Sequence, residues 1–176
     1  MSYKNIPIGK KAPHIVNAII EIPKESHNKY EYDEELDIIK LDRVLHSPVY
    51  YPTDYGFIPE TRSTDGDHLD IMVISPSSVF PGCLIEAKII GVMIMEDEAG
   101  MDEKIIAIST KDPNISHVNT IDDIEQHFKN EIQHFFEVYK HLEKNKSVTI
   151  KGWDGIDTAI KIIKEAQDRY QKEAHK

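Results

Sequence analysis

The sequence predicts an α+β fold: a small barrel, or a strongly curved sheet, of antiparallel strands with helices packed against it. Two observations support this prediction. The first two thirds of the 176 residues consist mostly of short runs rich in isoleucine and valine, and the last third changes to the three-and-four spacing of amphipathic helices. No repeat or linker interrupts the chain, so residues 1–176 are expected to form a single domain.

Six apolar runs are predicted to be strands. Isoleucine and valine recur in them, and turn-forming prolines and glycines lie between them. Strands joined by short turns favour a small barrel or a strongly curved sheet, which removes exposed strand edges. The runs are residues 15–22, 38–44, 71–75, 84–95, 104–110 and, between the two predicted helices, 147–152.

The last third of the chain predicts two amphipathic helices. From Ile121 to Leu142, apolar residues recur at spacings of mainly three and four, which is the stripe of a helix packed on a core. Thr120 is the predicted N-cap, and the aspartates that follow it suit the positive end of the helix dipole. A second helix with one apolar face is predicted from Ile156 onwards.

The charge of the chain limits its possible partners. The net charge of −10 comes from 31 acidic and 21 basic side chains. A nucleic-acid binder needs a basic face for phosphate contacts, so this class is disfavoured. An anionic substrate is disfavoured for the same reason, unless the acids hold divalent cations that reverse the local field.

The sequence shows no membrane or secretory signal. No apolar run approaches the ~20 residues needed to cross a bilayer, and the first residues contain no apolar signal segment. Cys83 is the single cysteine, so no intramolecular disulfide can form. We therefore expect a cytoplasmic protein that binds neither a membrane nor a nucleic acid.

A first acidic segment, DGDHLD, directly precedes a predicted strand. It contains Asp65, Asp67 and Asp70, whose like charges repel one another. Gly66 allows a loop in which the three carboxylates converge. Carboxylate oxygens are the ligands that Mg²⁺ prefers, so this loop is a candidate metal site.

A second acidic segment, MEDEAGMDEK, lies between two predicted strands. Ala99 and Gly100 interrupt its acids and predict the tip of a hairpin. If both acidic loops meet at one end of a barrel, they form a site for several metal ions. The alternative is a solvated acidic surface, and the residues alone do not decide between the two; a calcium loop of the EF-hand type is excluded because Pro76 stands where that loop needs glutamate.

The order of short motifs along the chain resembles the soluble inorganic pyrophosphatases of the first family, in their small bacterial form. Each motif alone is weak, but all of them in one order make a specific signal that covers nearly the whole chain. The motifs are EIP at 21–23, KYEYD at 29–33, DR at 42–43, YYPTDYGFIPET at 50–61, DGDHLD at 65–70, DEAGMDEK at 97–104, HFFEVYKHLE at 134–143 and KGW at 151–153.

This resemblance implies both a fold and an activity. The fold is a five-stranded OB-like β-barrel with two main helices packed against it and the active site at one end of the barrel. The activity is the hydrolysis of pyrophosphate to two orthophosphates by a metal-activated water, with several Mg²⁺ ions in each active site. The resemblance also implies a cytoplasmic homohexamer.

The resemblance further implies roles for particular residues. Asp67 is the base, or the hydrogen-bond partner, of the attacking water, and Tyr51 supports the site. The implied substrate-binding residues are Lys29, Arg43, Tyr55, Lys104, Tyr139 and Lys140, of which Lys29, Arg43 and Tyr55 are also counted as catalytic. The implied metal ligands are Asp65, Asp70, Asp97 and Asp102, with Glu21, Glu31 and Glu98 acting through water.

His68 departs from the pattern of the family, which usually has proline at this position. Proline fixes φ and removes a backbone donor, so histidine leaves the rigidity of the loop open. An imidazole is also a ligand for a softer metal such as Zn²⁺, although a solvated histidine or one packed against the loop is the preferred interpretation.

Three other functions compete with this one. Another metal-dependent phosphohydrolase requires a pocket for a base, and no P-loop motif is present. A non-catalytic OB-like binding module requires a basic, aromatic face, which the net charge disfavours. A divalent-ion buffer uses the acids but gives Lys29, Arg43, Lys104 and Lys140 no purpose.

Overall fold

The structure is a computed structural model that describes residues 2–98 and 100–174. The strands in this part are β1 (Ile15–Ile22), β2 (Asn28–Asp33), β3 (Ile38–Val44), β4 (Asp54–Ile58), β5 (Leu69–Ile74), β6 (Leu84–Asp97), β7 (Gly100–Ser109) and β8 (Val148–Asp154). The α-helices are α1 (Gln126–Val138) and α2 (Ile156–Ala174). Two 3-10 helices, Pro113–Ile115 and Ile121–Asp123, lie between β7 and α1.

Five of the strands close into a barrel. β1 pairs with both β4 and β6, and β5 and β7 complete the ring. β6 is long enough to pair with β1 along its first half and with β8 along its second half. β2 and β3 form a separate two-stranded hairpin. The predicted α+β fold, a five-stranded barrel with two main helices, is confirmed.

Two predictions about the strands were wrong. β2 and β4 were not among the predicted runs, because NKYEYD is mostly polar and DYGFI is short and interrupted by glycine. The strands were also expected to be antiparallel, but β5 and β7 pair in parallel. They do so because β6 lies between them in sequence and returns the chain to the starting side of β5 before β7 begins.

The helix predicted to begin after Thr120 is in fact divided. A 3-10 turn forms first, Ile124 is extended, and α1 begins only at Gln126. The carboxylate of Asp123 accepts hydrogen bonds from the backbone N–H groups of Asn119 and Thr120, at 2.8 and 2.9 Å. Thr120 is therefore an N-cap as predicted, but it caps the 3-10 turn and not α1.

The sheet of the barrel is covered on both faces. Along β5, Met72 and Ile74 belong to an apolar cluster that includes residues of α1, whereas Ile71 and Val73 belong to a cluster that includes residues of α2. This alternation follows from the two-residue period of a strand. Each helix therefore packs on its own side of the sheet. Neither described helix combines the length and the apolar character that a membrane span requires.

Gly56 is expected to be essential for the pairing of β1 with β4. A Cβ atom at this position would lie 1.9 Å from the carbonyl oxygen of Ile19 and 2.8 Å from the Cα atom of Ile20. Gly56→Ala must therefore push the strands apart, and we expect it to lower the free energy of unfolding by about 3 kcal/mol. Urea unfolding measures this change.

Gly155→Ala is the matched control, because a Cβ atom at that glycine meets no atom within 4 Å. We expect this variant to stay within about 1 kcal/mol of wild type. Equal stability of the two variants would show that β1 and β4 tolerate separation.

Candidate active site

A single cavity brings the residues of both acidic segments together. Its volume is about 570 Å³. It is lined by the ends of strands, by the loop before β5, by the β6–β7 hairpin and by the segment that follows α1. The sequence-predicted residues that line it are Glu21, Lys29, Glu31, Arg43, Tyr55, Asp65, Asp67, Asp70, Asp97, Glu98, Asp102, Lys104, Tyr139 and Lys140.

The first acidic segment forms a tight loop at the cavity. The backbone N–H of Asp67 donates to Oδ1 of Asp65 at 3.0 Å, and the N–H of Ser63 donates to the carbonyl oxygen of Asp67 at 2.8 Å. Gly66 has a φ of 98°, a value that side chains disfavour. Burial, and then the neighbouring Asp65, raises the pKa of the Asp67 carboxyl. The loop therefore holds carboxylates close together at an electrostatic cost.

Lys104 lies between two of the predicted metal ligands. Its ammonium donates to Oδ1 of Asp102 at 2.5 Å and also to Oδ2 of Asp70. The side chain of Lys104 is only 4% exposed. Burial alone lowers the pKa of Lys104, but the two carboxylates outweigh burial and raise it. Burial also raises the pKa of Asp102, in spite of the lysine. Lys104 therefore holds these carboxylates together as a buried cation.

The second acidic segment is paired with lysines that follow α1. Lys140 donates to Oδ2 of Asp97 at 2.8 Å, and Lys146 donates to Glu98. Burial raises the pKa of Glu98, but the hydrogen bond from Lys146 and the charge of Lys140 hold it at about 2. The predicted hairpin forms, since Asp97 pairs with Gly100; Ala99 lies outside the described residues.

The β2–β3 hairpin contributes the remaining cations. Lys29 contacts Glu31 and Asp42, and Arg43 contacts Asp42 at 2.5 Å and Glu143 at 2.9 Å. Three further charged residues of the site had no role predicted from the sequence: Asp42, Glu143 and Lys146. Asp42 stands in the DR motif, but the pairing of Arg43 with Glu143 joins residues 100 positions apart, so no local pattern indicates it.

Glu21 is a buried carboxyl of the cavity whose pKa is strongly raised. It is 8% exposed, and it accepts a hydrogen bond from the backbone N–H of Tyr32 at 2.6 Å. Burial, followed by the charges of Asp70 and Glu31, raises its pKa to about 8. A nearby cation would stabilise the ionised form of this carboxyl.

The tyrosines of the site are buried beneath it. Tyr55 and Tyr139 line the cavity and are 8% and 5% exposed, and Tyr51 packs behind Tyr55 with 5.6 Å between ring centroids. Burial raises the pKa of all three phenols. Tyr139 also stacks on Phe135, so the residue is both part of the core and a wall of the site.

The donor atoms of the site are carboxylate oxygens, which are chemically suited to hard divalent cations. The carboxylates of Asp65, Asp70, Asp97 and Asp102 face one cavity, and such oxygens are the ligands that Mg²⁺ and Ca²⁺ prefer. Among the described residues, however, no three histidine, cysteine or acidic side chains converge around a single point. Ammonium groups of lysines lie between these carboxylates, so the site already favours positive charge at those positions.

The sequence and the fold both match known proteins. The family model described as inorganic pyrophosphatase matches residues 18–171. The inorganic pyrophosphatase of Saccharolobus solfataricus is 51% identical over 163 residues, which cover 92% of this chain and 95% of that relative. The inorganic pyrophosphatase of Thermus thermophilus is 45% identical over 170 residues, which cover 96% of this chain and 97% of that one.

Solved structures agree with the sequence comparisons. The crystal structure of the inorganic pyrophosphatase from Thermus thermophilus has a TM-score of 0.94 and 44% identity, and the match covers 97% of this chain and 99% of that one. The enzyme from Helicobacter pylori has a TM-score of 0.91 and 42% identity, covering 95% and 99%. This chain belongs to the inorganic pyrophosphatase family, a family of hydrolases, and is therefore an enzyme.

Proposed function

We propose that this chain hydrolyses inorganic pyrophosphate to two orthophosphates and requires Mg²⁺. The observation that supports this proposal is a cavity in which clustered carboxylates alternate with Lys29, Arg43, Lys104 and Lys140. Pyrophosphate is a small, highly charged anion without an apolar part, so it must be bound by charge. A site that offers both anions for metal ions and cations for phosphate meets that requirement.

Four aspartates would hold the metal ions directly: Asp65, Asp70, Asp97 and Asp102. Glu21, Glu31 and Glu98 would contribute through water molecules. Bound divalent ions neutralise phosphate charge and make a water molecule more acidic, which is the chemistry they supply to such a site. The donor chemistry, rather than a preformed coordination geometry, supports this assignment.

Asp67 is the proposed acceptor of the proton from the attacking water. It lines the cavity beside Asp65 and Asp70, and its raised pKa makes it a better base than an ordinary aspartate. Its side chain makes no hydrogen bond to a lysine or arginine among the described contacts, unlike those of Asp70 and Asp102. The carboxylate is therefore available to a water molecule.

The cations and phenols would hold the two phosphates. Arg43 can donate two parallel hydrogen bonds, whereas Lys29, Lys104 and Lys140 act as point charges. Because burial raises the pKa of Tyr55 and Tyr139, both phenols stay protonated and can donate to phosphate oxygens. Fixed donors of this kind stabilise the charge that develops on the departing phosphate.

Membership of the family also supports a proposal about assembly and location. We propose that residues 1–176 form one domain, that the domains assemble into a homohexamer, and that the protein is cytoplasmic and binds no membrane or nucleic acid. Light scattering during size exclusion tests the assembly. A mass of about six times 20.2 kDa is expected.

Release of orthophosphate is the direct test of the proposed activity. With Mg²⁺, the purified chain is expected to release orthophosphate from pyrophosphate rapidly and from ATP far more slowly. A chelator should abolish the release. A folded sample with no Mg²⁺-dependent release from pyrophosphate would overturn the proposal, and equal rates on ATP would instead favour a broader metal-dependent phosphohydrolase.

A further inference from the structure

His68 occupies the position at which the pyrophosphatase pattern usually has proline, and the structure holds its ring firmly. Nδ1 lies 2.9 Å from the carbonyl oxygen of Thr61, and Nε2 lies 3.0 Å from Oε1 of Glu34. The side chain is 13% exposed. Both ring nitrogens therefore face oxygen acceptors of the protein, and the ring donates to one of them when neutral and to both when protonated.

An aromatic stack fixes the plane of the ring. The His68 ring lies nearly parallel to Phe57, with 4.8 Å between centroids and an angle of 12°. The rings of Tyr32 and Tyr170 also approach it, with their centroids 6.2 and 6.3 Å from that of His68. Because these three partners come from β4, β2 and α2, the ring joins three separate elements of the fold.

The carboxylate of Glu34 contacts one residue on each side of the acidic loop. Arg62, before the loop, donates to both oxygens of Glu34, at 2.8 Å for Nη2 and Oε2. His68, after the loop, contacts the same carboxylate. Arg62 is itself fixed to α2, since its N–H donates to the carbonyl oxygen of Ala166 at 2.9 Å and its own carbonyl oxygen accepts from Nε of Arg169 at 2.7 Å.

The loop between these two ends has little else to fix it. Residues 64–67 are exposed, so no packed apolar contact holds them. Its described hydrogen bonds are local: Ser63 to Asp67, Gly66 to Ser63, and Asp67 to Asp65. Exposed segments with few buried contacts open readily. The position of the loop must therefore come from its two ends.

We propose that His68 is a positioning residue that, with Glu34, holds Asp65 and Asp67 in place for the reaction. It achieves through side-chain contacts what proline achieves by fixing φ. This inference rests on the proposed function, because that function gives the two aspartates their roles. Partners that orient metal ligands typically change metal affinity or activity by about 10- to 100-fold when they are removed.

Hydrogen exchange in the metal-free protein tests the inference without reference to activity. His68→Ala removes the stack and both polar contacts, whereas His68→Phe keeps an aromatic ring and removes only the polar contacts. We expect peptides that cover residues 63–67 to exchange at least several-fold faster in both variants, with α1 unchanged. His127→Ala is the matched control, because the side chain of His127 is 85% exposed and its ion pair is with Glu131 on its own helix.

Calorimetry with Mg²⁺ alone gives a second readout. We expect His68→Ala and Glu34→Gln to bind Mg²⁺ about tenfold more weakly than wild type. In turnover, kcat should fall and the Mg²⁺ concentration for half-maximal activity should rise. KM for pyrophosphate should change little, because the residues that grip phosphate lie on other elements. The double variant Glu34→Gln/His68→Phe should lose clearly less than the sum of the two single losses, since each single change already breaks the contact between His68 and Glu34.

Several results would overturn the inference. One is a lowered melting temperature with unchanged exchange in residues 63–67 and unchanged Mg²⁺ affinity, which would make His68 a purely structural residue. Additive losses in the double variant would separate His68 from Glu34. If His68→Ala does not fold, His68→Phe and Glu34→Gln carry the test. A chain that lacks pyrophosphatase activity still reports exchange and Mg²⁺ binding, so failure of the proposed function is distinguishable from failure of this inference.

Discussion

Asp67→Asn is expected to lower kcat for pyrophosphate by about 10²- to 10⁴-fold and to leave Mg²⁺ affinity within a few-fold of wild type. The amide keeps the size of the side chain, and the backbone N–H of residue 67 still donates to Asp65. The side-chain amide of the variant, unlike the carboxylate, cannot accept the proton of the attacking water at neutral pH. Initial rates at saturating Mg²⁺ give kcat, and calorimetry without substrate gives the affinity.

Asp65→Asn is the matched control in the same loop. Since Asp65 is a proposed metal ligand, this variant should lose Mg²⁺ affinity, and added Mg²⁺ should restore part of its activity. Asp67→Asn should show no such recovery. If Asp67→Asn turns over near the wild-type rate, Asp67 is not the base, and another cavity carboxylate with a raised pKa, such as Glu21, becomes the candidate.

The sequence predicted the parts of the fold that depend on local pattern. The runs that became β1 and β3 are long and apolar enough to be recognised by composition, and their bounds were correct. β2 was missed because its residues are all half-buried and mostly polar, which is typical of a strand that lines a charged site. The division of the helix after Thr120 was missed because Thr120 and Asp123 give the signal of a helix start, which is the same for a single 3-10 turn as for a long α-helix.

The same distinction holds for the site: local motifs indicate which residues belong to it, whereas the contacts between residues far apart in sequence appear only in the folded chain. Motif resemblance supplied residues that line one cavity, with Tyr51 packed behind Tyr55, and their roles are proposals. Their pairings could not be predicted, since Lys104 reaches Asp70 across 34 positions and Arg43 reaches Glu143 across 100. Likewise, His68 could not be explained from the sequence, because Glu34 and Tyr170 approach it only in the folded chain.

Lys104→Met is expected to have the second large effect, on stability as well as on activity. The variant leaves the carboxylates of Asp70 and Asp102 side by side without the ammonium that joins them. Removing one partner of a buried ion pair typically costs about 3–5 kcal/mol. Because Asp70 is 28% exposed and keeps some hydration, we expect a loss on the order of 3 kcal/mol in the metal-free protein.

Lys104 is proposed both to stabilise the fold and to bind phosphate, and added Mg²⁺ should distinguish these two roles. An ion bound by the two carboxylates replaces the missing positive charge, so the melting temperature of Lys104→Met should rise more with Mg²⁺ than that of wild type. Activity should not return with stability, because a cation that contacts phosphate is lost. We expect kcat/KM to remain about 10²-fold below wild type at saturating Mg²⁺.

Lys151→Met provides the control for a lysine paired on the surface. Lys151 contacts Glu96 at 2.6 Å, but both side chains are about 45% exposed, so the pair contributes about 0–1 kcal/mol. If Lys104→Met melts at the same temperature as Lys151→Met in the metal-free state, the buried pairs of Lys104 do not stabilise the fold. If Mg²⁺ raises both melting temperatures equally, Asp70 and Asp102 do not hold the ion that replaces the lysine.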